Sequence, residues 1–257
     1  MNPSSAACNI VTKLSVNVNK VAMLRNTRHL EIPGVLHTAR IALDAGAAGI
    51  TVHPRPDQRH IRSRDVDDLA GLLEETTYIN REFNVEGNPF LGEYVSLIKK
   101  VRPDQCTLVP DDPGAFTSDQ GWDVAANRNR LQDLVAELHA FGCRVSLFMD
   151  PDRKQIDQVP ETGADRIELY TEPYAAAYGT DRQPAMLSQF IQAADTARQL
   201  GLGVNAGHDL NRHNLGHFVA IPGILEVSIG HALIADAIEF GLARTVAAYL
   251  EILEANA

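Results

Sequence analysis

Eight short apolar runs alternate with segments of helical periodicity along the chain. Lys13–Val18 opens the series, and after a polar loop the spacing predicts a helix over Pro33–Ala45. Gly49–His53 is followed by a helix over Arg64–Tyr78, and Glu82–Glu86 by one over Phe90–Lys100. Gln105–Pro110 leads through a long loop to Asp123–Ala140, and Arg144–Asp150 to a weaker helix over Arg153–Val159. Arg166–Thr171 is followed by a loop and a helix over Pro184–Leu200, and Gly203–Ala206 by a short helix over Asn214–Ala220. The last run, Leu225–Ile229, precedes one long helix from Ala232 to Glu254. Leu131, Leu134, Leu138 and Phe141 recur every three or four residues and so share a face, as do Leu242, Val246, Leu250 and Leu253. The strand-like runs instead read Ile-Thr-Val, Thr-Leu-Val, Val-Ser-Leu-Phe-Met and Ile-Glu-Leu, apolar with little alternation, as parallel strands covered on both sides do.

Glycine stops several helices before the next strand, as at Gly46, Gly142, Gly163 and Gly201. Eight strand–helix units without a linker or composition shift predict one α/β domain over residues 13–257, a (β/α)8 TIM barrel with extra helices. Its 257 residues suit a single core of that kind. The rival is an open doubly wound sheet. It favours a glycine-rich turn after the first strand, and Asn17-Val-Asn-Lys20 has none. Residues 1–12 lack a basic start and a long apolar stretch, so they read as a loose tail and not as a secretion signal. No apolar run approaches the roughly 18 residues of a membrane span. Cys8, Cys106 and Cys143 show no ligand spacing; an odd number without a framework fits a reducing cytoplasm, and the last two read as small core residues.

A net charge of −10 argues against a nucleic-acid partner, and the few aromatics, Tyr170, Tyr174 and Tyr178 among them, offer no base-stacking platform. One loop runs the other way: His53, Arg55, Arg59, His60, Arg62 and Arg64 concentrate positive charge after the second run, which favours a small anion such as phosphate. In a barrel the active site forms at the C-terminal strand ends. Those ends carry Asn17 to Lys20, His53 and Arg55, Glu86, then Asn205, Gly207 and His208, and finally Gly230 and His231. Imidazoles titrate near neutrality and a half-buried carboxyl is pushed towards that range. Two histidines and a glutamate therefore suit a reaction with several successive proton transfers. The glycines at 207 and 230 let backbone N–H groups approach an anion, and Arg25 and Arg28 in the first loop could reach a second one. A metal bound by His53, His60 and Glu86 is disfavoured by the neighbouring arginines. Arg59, Arg62 and Arg64 read as solvating the loop or pairing with Asp65, Asp67 and Asp68. Asp104, Asp111, Asp112 and Asp119 read as a solvated face, with Thr117 in a long fourth loop able to fold over the mouth.

At these residues the chain resembles the pyridoxine 5′-phosphate synthases of bacterial vitamin B6 synthesis. The resemblance rests on Leu24-Arg-Asn26 with Arg28, Gly49-Ile-Thr-Val-His53 with Arg55 and Arg59-His-Ile61, and Phe83-Asn-Val-Glu86. It continues through Leu108-Val-Pro110, Val145-Ser-Leu-Phe148, Val204-Asn-Ala-Gly-His208 and Ile229-Gly-His231, so that it covers most of the chain from Leu14 onward. It implies condensation of 3-amino-2-oxopropyl phosphate with 1-deoxy-D-xylulose 5-phosphate to pyridoxine 5′-phosphate, phosphate and water. It implies that His53 and Glu86 accept protons and His208 donates one. By the same resemblance Asn17, Arg28, Gly230 and His231 hold the amino-ketone phosphate, with the residue at 209 beside them, while Arg55, His60 and Thr117 hold the ketose phosphate. Neither metal nor organic cofactor is implied, and the family's assembly implies a homo-octamer.

Three departures stand out. The family usually reads Asn-x-Asp-His after the first strand, where this chain has Asn17-Val-Asn19-Lys20, so Asn19 and Lys20 take the ketose-binding positions. Asp209 stands where glycine usually follows the histidine, and its carboxylate must turn away from a bound phosphate. Glu86 runs on into Gly-Asn-Pro. Two other readings compete with the synthase: a related barrel aldolase or isomerase for another ketose phosphate, and a non-catalytic phosphate-binding barrel.

Overall fold

A computed structural model describes residues 11–256. Eight parallel strands close in sequence order into a barrel. They are β1 (Lys13–Asn17), β2 (Gly49–Val52), β3 (Glu82–Gly87), β4 (Gln105–Leu108), β5 (Arg144–Met149), β6 (Arg166–Leu169), β7 (Gly203–Ala206) and β8 (Ile224–Ile229). The helices are α1 (Asn19–Asn26), α2 (Val35–Asp44), α3 (Ser63–Leu73), α4 (Tyr94–Val101), α5 (Val124–Ala140) and α6 (Arg153–Ile156). After a 3-10 turn at Val159–Thr162 come α7 (Glu172–Ala177), α8 (Gln183–Gln199), α9 (Leu215–Val219), α10 (His231–Phe240) and α11 (Leu242–Glu254). The first ten residues of the expected tail lie outside the described part; Thr12 is buried and its hydroxyl donates to the Ile224 carbonyl at 2.8 Å.

Between the strands and the helices lies the apolar core. Leu14, Val16, Ile50, Val52, Val85, Cys106, Leu108, Val145, Leu147, Ile167, Leu169, Val204 and Val227 are fully buried there. On α5, Leu131 and Leu138 are fully buried, and each contributes about 1.5–3 kcal/mol by leaving water. Cys106 and Cys143 are buried free thiols.

The strands alternate more strictly than their apolar look suggests. Ser15, Thr51, Asn84, Thr107, Gln105 and Asn205 are also buried, and they bond to one another between neighbouring strands or, for Asn205 and Gln105, across the barrel from β7 to β4. Ser15 and Thr51 hydroxyls meet at 2.7 Å, Thr107 donates to Asn84 at 3.0 Å, and Asn205 donates to Gln105 at 3.2 Å. The barrel interior is therefore a hydrogen-bonded polar column, with apolar side chains pointing outward to the helices. Most buried hydroxyls and amides find such partners.

Beyond α3 ending at Leu73 rather than Tyr78 and α4 beginning at Tyr94 rather than Phe90, three expectations need correcting. The polar first loop is helical: α1 buries Val21, Ala22 and Arg25, a one-and-four spacing hidden among polar neighbours. A second short helix, α7, fills the loop after β6. The long C-terminal helix is two, because Gly241 sits at φ 80°, ψ 143°, a conformation that ends α10.

Candidate active site

A cavity of about 500 Å3 opens at the C-terminal strand ends, a volume within the usual range for small-ligand sites. Residues from six strand ends line it: Asn17, Asn19 and Lys20; His53, Arg55 and His60; Glu86; Glu168; Gly207, His208 and Asp209; and Gly230 with His231. Thr117 and Phe116 reach in from the loop after β4. His53, Glu86 and His208 thus share one cavity, as their strand-end positions require. Arg28 does not line it: the side chain is exposed and donates to the Thr27 carbonyl. Asn205 lies below the mouth, bonded to Gln105 and Arg166.

His53 is the best-held of these groups. Its backbone N–H donates to Asn19 Oδ1 at 2.9 Å, and Asn19 in turn donates its own N–H to Asn17 Oδ1 at 3.0 Å. So Asn19 serves as a backbone acceptor, a role its amide oxygen fills as well as a carboxylate would. The His53 ring lies between two carboxyls, with Nε2 3.3 Å from Asp111 and Nδ1 3.8 Å from Glu86. Burial, then the charges of Arg55 and Arg59, pull the imidazole down to about 3, so it is neutral at physiological pH. Glu86 moves the other way. Burial first, then Glu168, Asp111 and Glu226, raise it well above the ordinary carboxyl range. Of this pair the carboxyl therefore holds a proton more readily than the imidazole.

Two acids escaped the sequence reading. Glu168, at the end of β6, is buried beneath the cavity and lifted to about 7 by desolvation, against the opposing pull of His208 and Thr107. The signal was an acidic residue inside a strand covered on both faces. Asp111, one of the acidic residues expected on a solvated face, is instead buried and takes Arg55 Nη2 at 2.6 Å as well as facing His53. Burial raises its carboxyl although Arg55 opposes it. Asp104 is exposed, as expected, and also accepts the Phe83 N–H at 2.8 Å.

The basic loop divides into structural and site residues. Arg25 is no anion ligand. It is buried and forms a two-pronged pair with Asp65, at 2.5 and 2.9 Å, while also donating to the His60 carbonyl at 3.2 Å. Arg59 straps the β4 loop, donating to the carbonyls of Ala115, Phe116 and Pro113. Arg62 and Arg64 both reach Glu31. Arg55 stays in the cavity wall, its other prong on the Ala115 carbonyl at 2.6 Å. His60 Nδ1 accepts the Ile61 N–H at 2.9 Å, so its proton is on Nε2. Burial, followed by His53, Arg55 and Lys20, brings it to about 3; it is a neutral N–H donor.

Opposite these, Gly230 caps the start of α10 without any side-chain cap, leaving the first N–H groups of that helix open at the cavity. Such a terminus attracts phosphate. A side chain at 207 would meet Glu168 Oε1 and the Ser228 carbonyl at 2.8 Å, so glycine is required there, and one at 230 would press on Asn17 at 3.1 Å. Lys20 lies close enough to His60 and Asp209 for its charge to act on both. His208 packs its ring edgewise on Tyr170, with Nε2 2.9 Å from Thr117 Oγ1 and Nδ1 3.0 Å from Asp209 Oδ2. The Asp209 carboxylate is therefore turned onto His208. After Glu86, Asn88 donates to the Asp111 carbonyl at 2.9 Å, which ties the departing loop to the β4 loop. Among the described residues no three His, Cys, Asp or Glu side chains are grouped to hold a metal ion, and no helix is long and apolar enough to cross a membrane.

Comparison with known proteins adds to this geometry. The family described as Pyridoxal phosphate biosynthesis protein PdxJ matches residues 14–255. A pyridoxine 5′-phosphate synthase of Albidiferax ferrireducens is 57% identical over 249 residues, covering 95% of this chain and 98% of its own. One from Porphyromonas gingivalis is 53% identical over 247 residues, covering 95% and 99%. Among solved structures, thiamine phosphate pyrophosphorylase from Pyrococcus furiosus superposes with a TM-score of 0.61 at 15% identity, covering 96% of both chains. Phosphoribosyl anthranilate isomerase from Thermus thermophilus does so at 0.57 and 14%, covering 95% and 99%. At those identities the likeness shows the shared barrel alone.

Proposed function

The chain belongs to the PdxJ family and is an enzyme with pyridoxine 5′-phosphate synthase activity, and from this premise we infer how its side chains divide the work. The reaction condenses 3-amino-2-oxopropyl phosphate with 1-deoxy-D-xylulose 5-phosphate and releases phosphate and water. Imine formation, loss of phosphate and ring closure each move protons in both directions.

The observation that carries the assignment is the opposed shift of His53 and Glu86, 3.8 Å apart. At neutral pH the buried imidazole keeps a free lone pair, and the buried carboxyl holds its proton to higher pH than an ordinary glutamate, so one pair offers an acceptor beside a donor. In this reading Nε2–H of His53 points to Asp111 and Nδ1 removes a substrate proton. Glu86 protonates a leaving hydroxyl and, once ionised, takes a proton back. Glu168, poised near neutrality, supports charge that develops next to it, and His208 delivers a proton from the other side of the cavity. The open terminus of α10 at Gly230 and His231, with Asn17, receives the amino-ketone phosphate. The second phosphate falls to His60 Nε2–H, Arg55 and Thr117, with Lys20 supplying a mobile ammonium where the family has histidine. Arg28 has no part in this reading.

We assign the protein to the reducing cytoplasm, which its free thiols suit. Assembly into a homo-octamer is supported by exposed apolar side chains: Leu24, Leu30 and Ile32 on and after α1, and Ile238 and Phe240 on α10, which α1 contacts.

The test is turnover of the two substrates, followed by the absorbance of the pyridine product. His53→Asn, Glu86→Gln and His208→Asn each lose about 10²–10⁴ in kcat, the usual worth of a positioned acid or base. Unchanged turnover in all three would remove the assignment while leaving the family intact.

A further inference from the structure

His208 is held by the residue that follows it in the chain. The turn from Gly207 to Leu210 closes with the Leu210 N–H on the Gly207 carbonyl at 3.2 Å, and its third residue, Asp209, has φ 64°. That position in such a turn suits glycine, and any side chain pays a conformational cost there. Asp209 is nevertheless fixed in place. Its carbonyl accepts Asn214 Nδ2–H at 3.2 Å, and the Thr171 hydroxyl donates to the preceding His208 carbonyl at 2.6 Å. The result of the left-handed backbone is that the carboxylate folds back onto the imidazole of the residue before it.

We infer that Asp209 is a positioning residue that holds His208 in the Nδ1–H tautomer, leaving Nε2 as the atom presented to the cavity. An ionised carboxylate only accepts hydrogen bonds, so the 3.0 Å contact places a proton on Nδ1. The His208 hydrogen bond holds the Asp209 carboxyl below its ordinary range, and His231 and Lys20 add to this, so the acceptor is ionised at neutral pH. Nε2 of the neutral ring is then the lone-pair atom, and the Thr117 hydroxyl donates to it at 2.9 Å. Without a partner at Nδ1 the neutral ring divides between two tautomers, and only the Nδ1–H form can take up a proton at Nε2 and so become the imidazolium that delivers it to the substrate. A carboxylate on the far nitrogen orients imidazoles in this way at other acid–base sites.

This inference rests on His208 acting in the reaction, and the experiment separates the two claims. The variants are Asp209→Gly, which removes the carboxylate and suits the left-handed backbone, and Asp209→Asn, which keeps an oxygen acceptor without the charge. The readouts are kcat and KM for both substrates, thermal midpoint, and solid-state ¹⁵N spectra of histidine-labelled protein. Among the nine histidines, the His208 signals are those lost in His208→Asn. In the neutral ring the wild-type spectrum shows Nδ1 protonated and Nε2 bare. Asp209→Gly gains thermal stability, shows mixed tautomers, and loses about tenfold to a hundredfold in kcat with KM unchanged. Asp209→Asn retains the tautomer and falls between. Wild-type kcat in Asp209→Gly together with an unaltered His208 spectrum overturns the inference, whatever His208→Asn does. Full turnover in His208→Asn instead removes the role of His208, while the spectra still decide the tautomer.

Discussion

Arg25 and Asp65 make the sharpest test of whether the basic loop is built for anions or for the fold. Both are almost fully buried, 2% and 4% exposed, and the guanidinium makes two contacts to the carboxylate. Removing one member of such a pair strands the other's charge, which costs about 3–5 kcal/mol. Arg25→Ala also loses the bond to the His60 carbonyl, so the upper half of that range is expected. In a chain of this size 1 kcal/mol moves the thermal midpoint by about 2–4 °C, so the variant melts roughly 8–20 °C lower. The companion is Arg25→Met with Asp65→Leu, which replaces the pair by apolar volume. It recovers most of the loss, because two charges no longer need burying. It stays about 1 kcal/mol short, since Asp65 Oδ2 also accepts the Arg62 N–H at the start of α3. The assay is urea and thermal unfolding at one fixed protein concentration, paired with KM for each substrate, because assembly adds to apparent stability. A loss under about 1 kcal/mol for Arg25→Ala, with KM raised instead, would refute the structural assignment and return Arg25 to the substrate.

Glu168→Gln lowers kcat by about 10²-fold and changes the pH dependence of folding. The raised carboxyl stabilises the native state fully below its unfolded value near 4.5 and loses that contribution as pH climbs to about 7. The gap therefore widens in favour of the Gln variant by roughly 3 kcal/mol across that window, read from denaturant titrations at several pH values. For His60→Asn the sign reverses. The neutral native ring must be charged in the unfolded chain as pH falls below about 6.5, so wild type loses about 1.4 kcal/mol per pH unit relative to the variant down to pH near 3. Asn19→Ala deprives the His53 N–H of its acceptor and costs about 1–2 kcal/mol in transition-state stabilisation, whereas Asn19→Asp, which keeps the oxygen, stays close to wild type in kcat/KM. Equal kcat/KM in wild type and Asn19→Ala would show that the contact is dispensable.

The order of elements was legible in the sequence because it depends on local periodicity. All eight strand positions and the long helices α2, α5 and α8 follow from apolar spacing and glycine stops within one or two residues at most ends. So was the shared rim of His53, Glu86 and His208, since in a parallel barrel every strand's C-terminus faces the same way. Residues whose meaning depends on a partner far along the chain were not legible. Nothing near Arg25 in sequence announces Asp65, and nothing near Asp111 announces His53 and Arg55; only barrel closure brings them together, and only burial turns those charges from solvated into paired groups. The same holds for protonation. The residue types name candidates for proton transfer, but which of them carries the proton is set by how deeply each is withdrawn from water and which charges stand around it, and those are properties of the folded cavity.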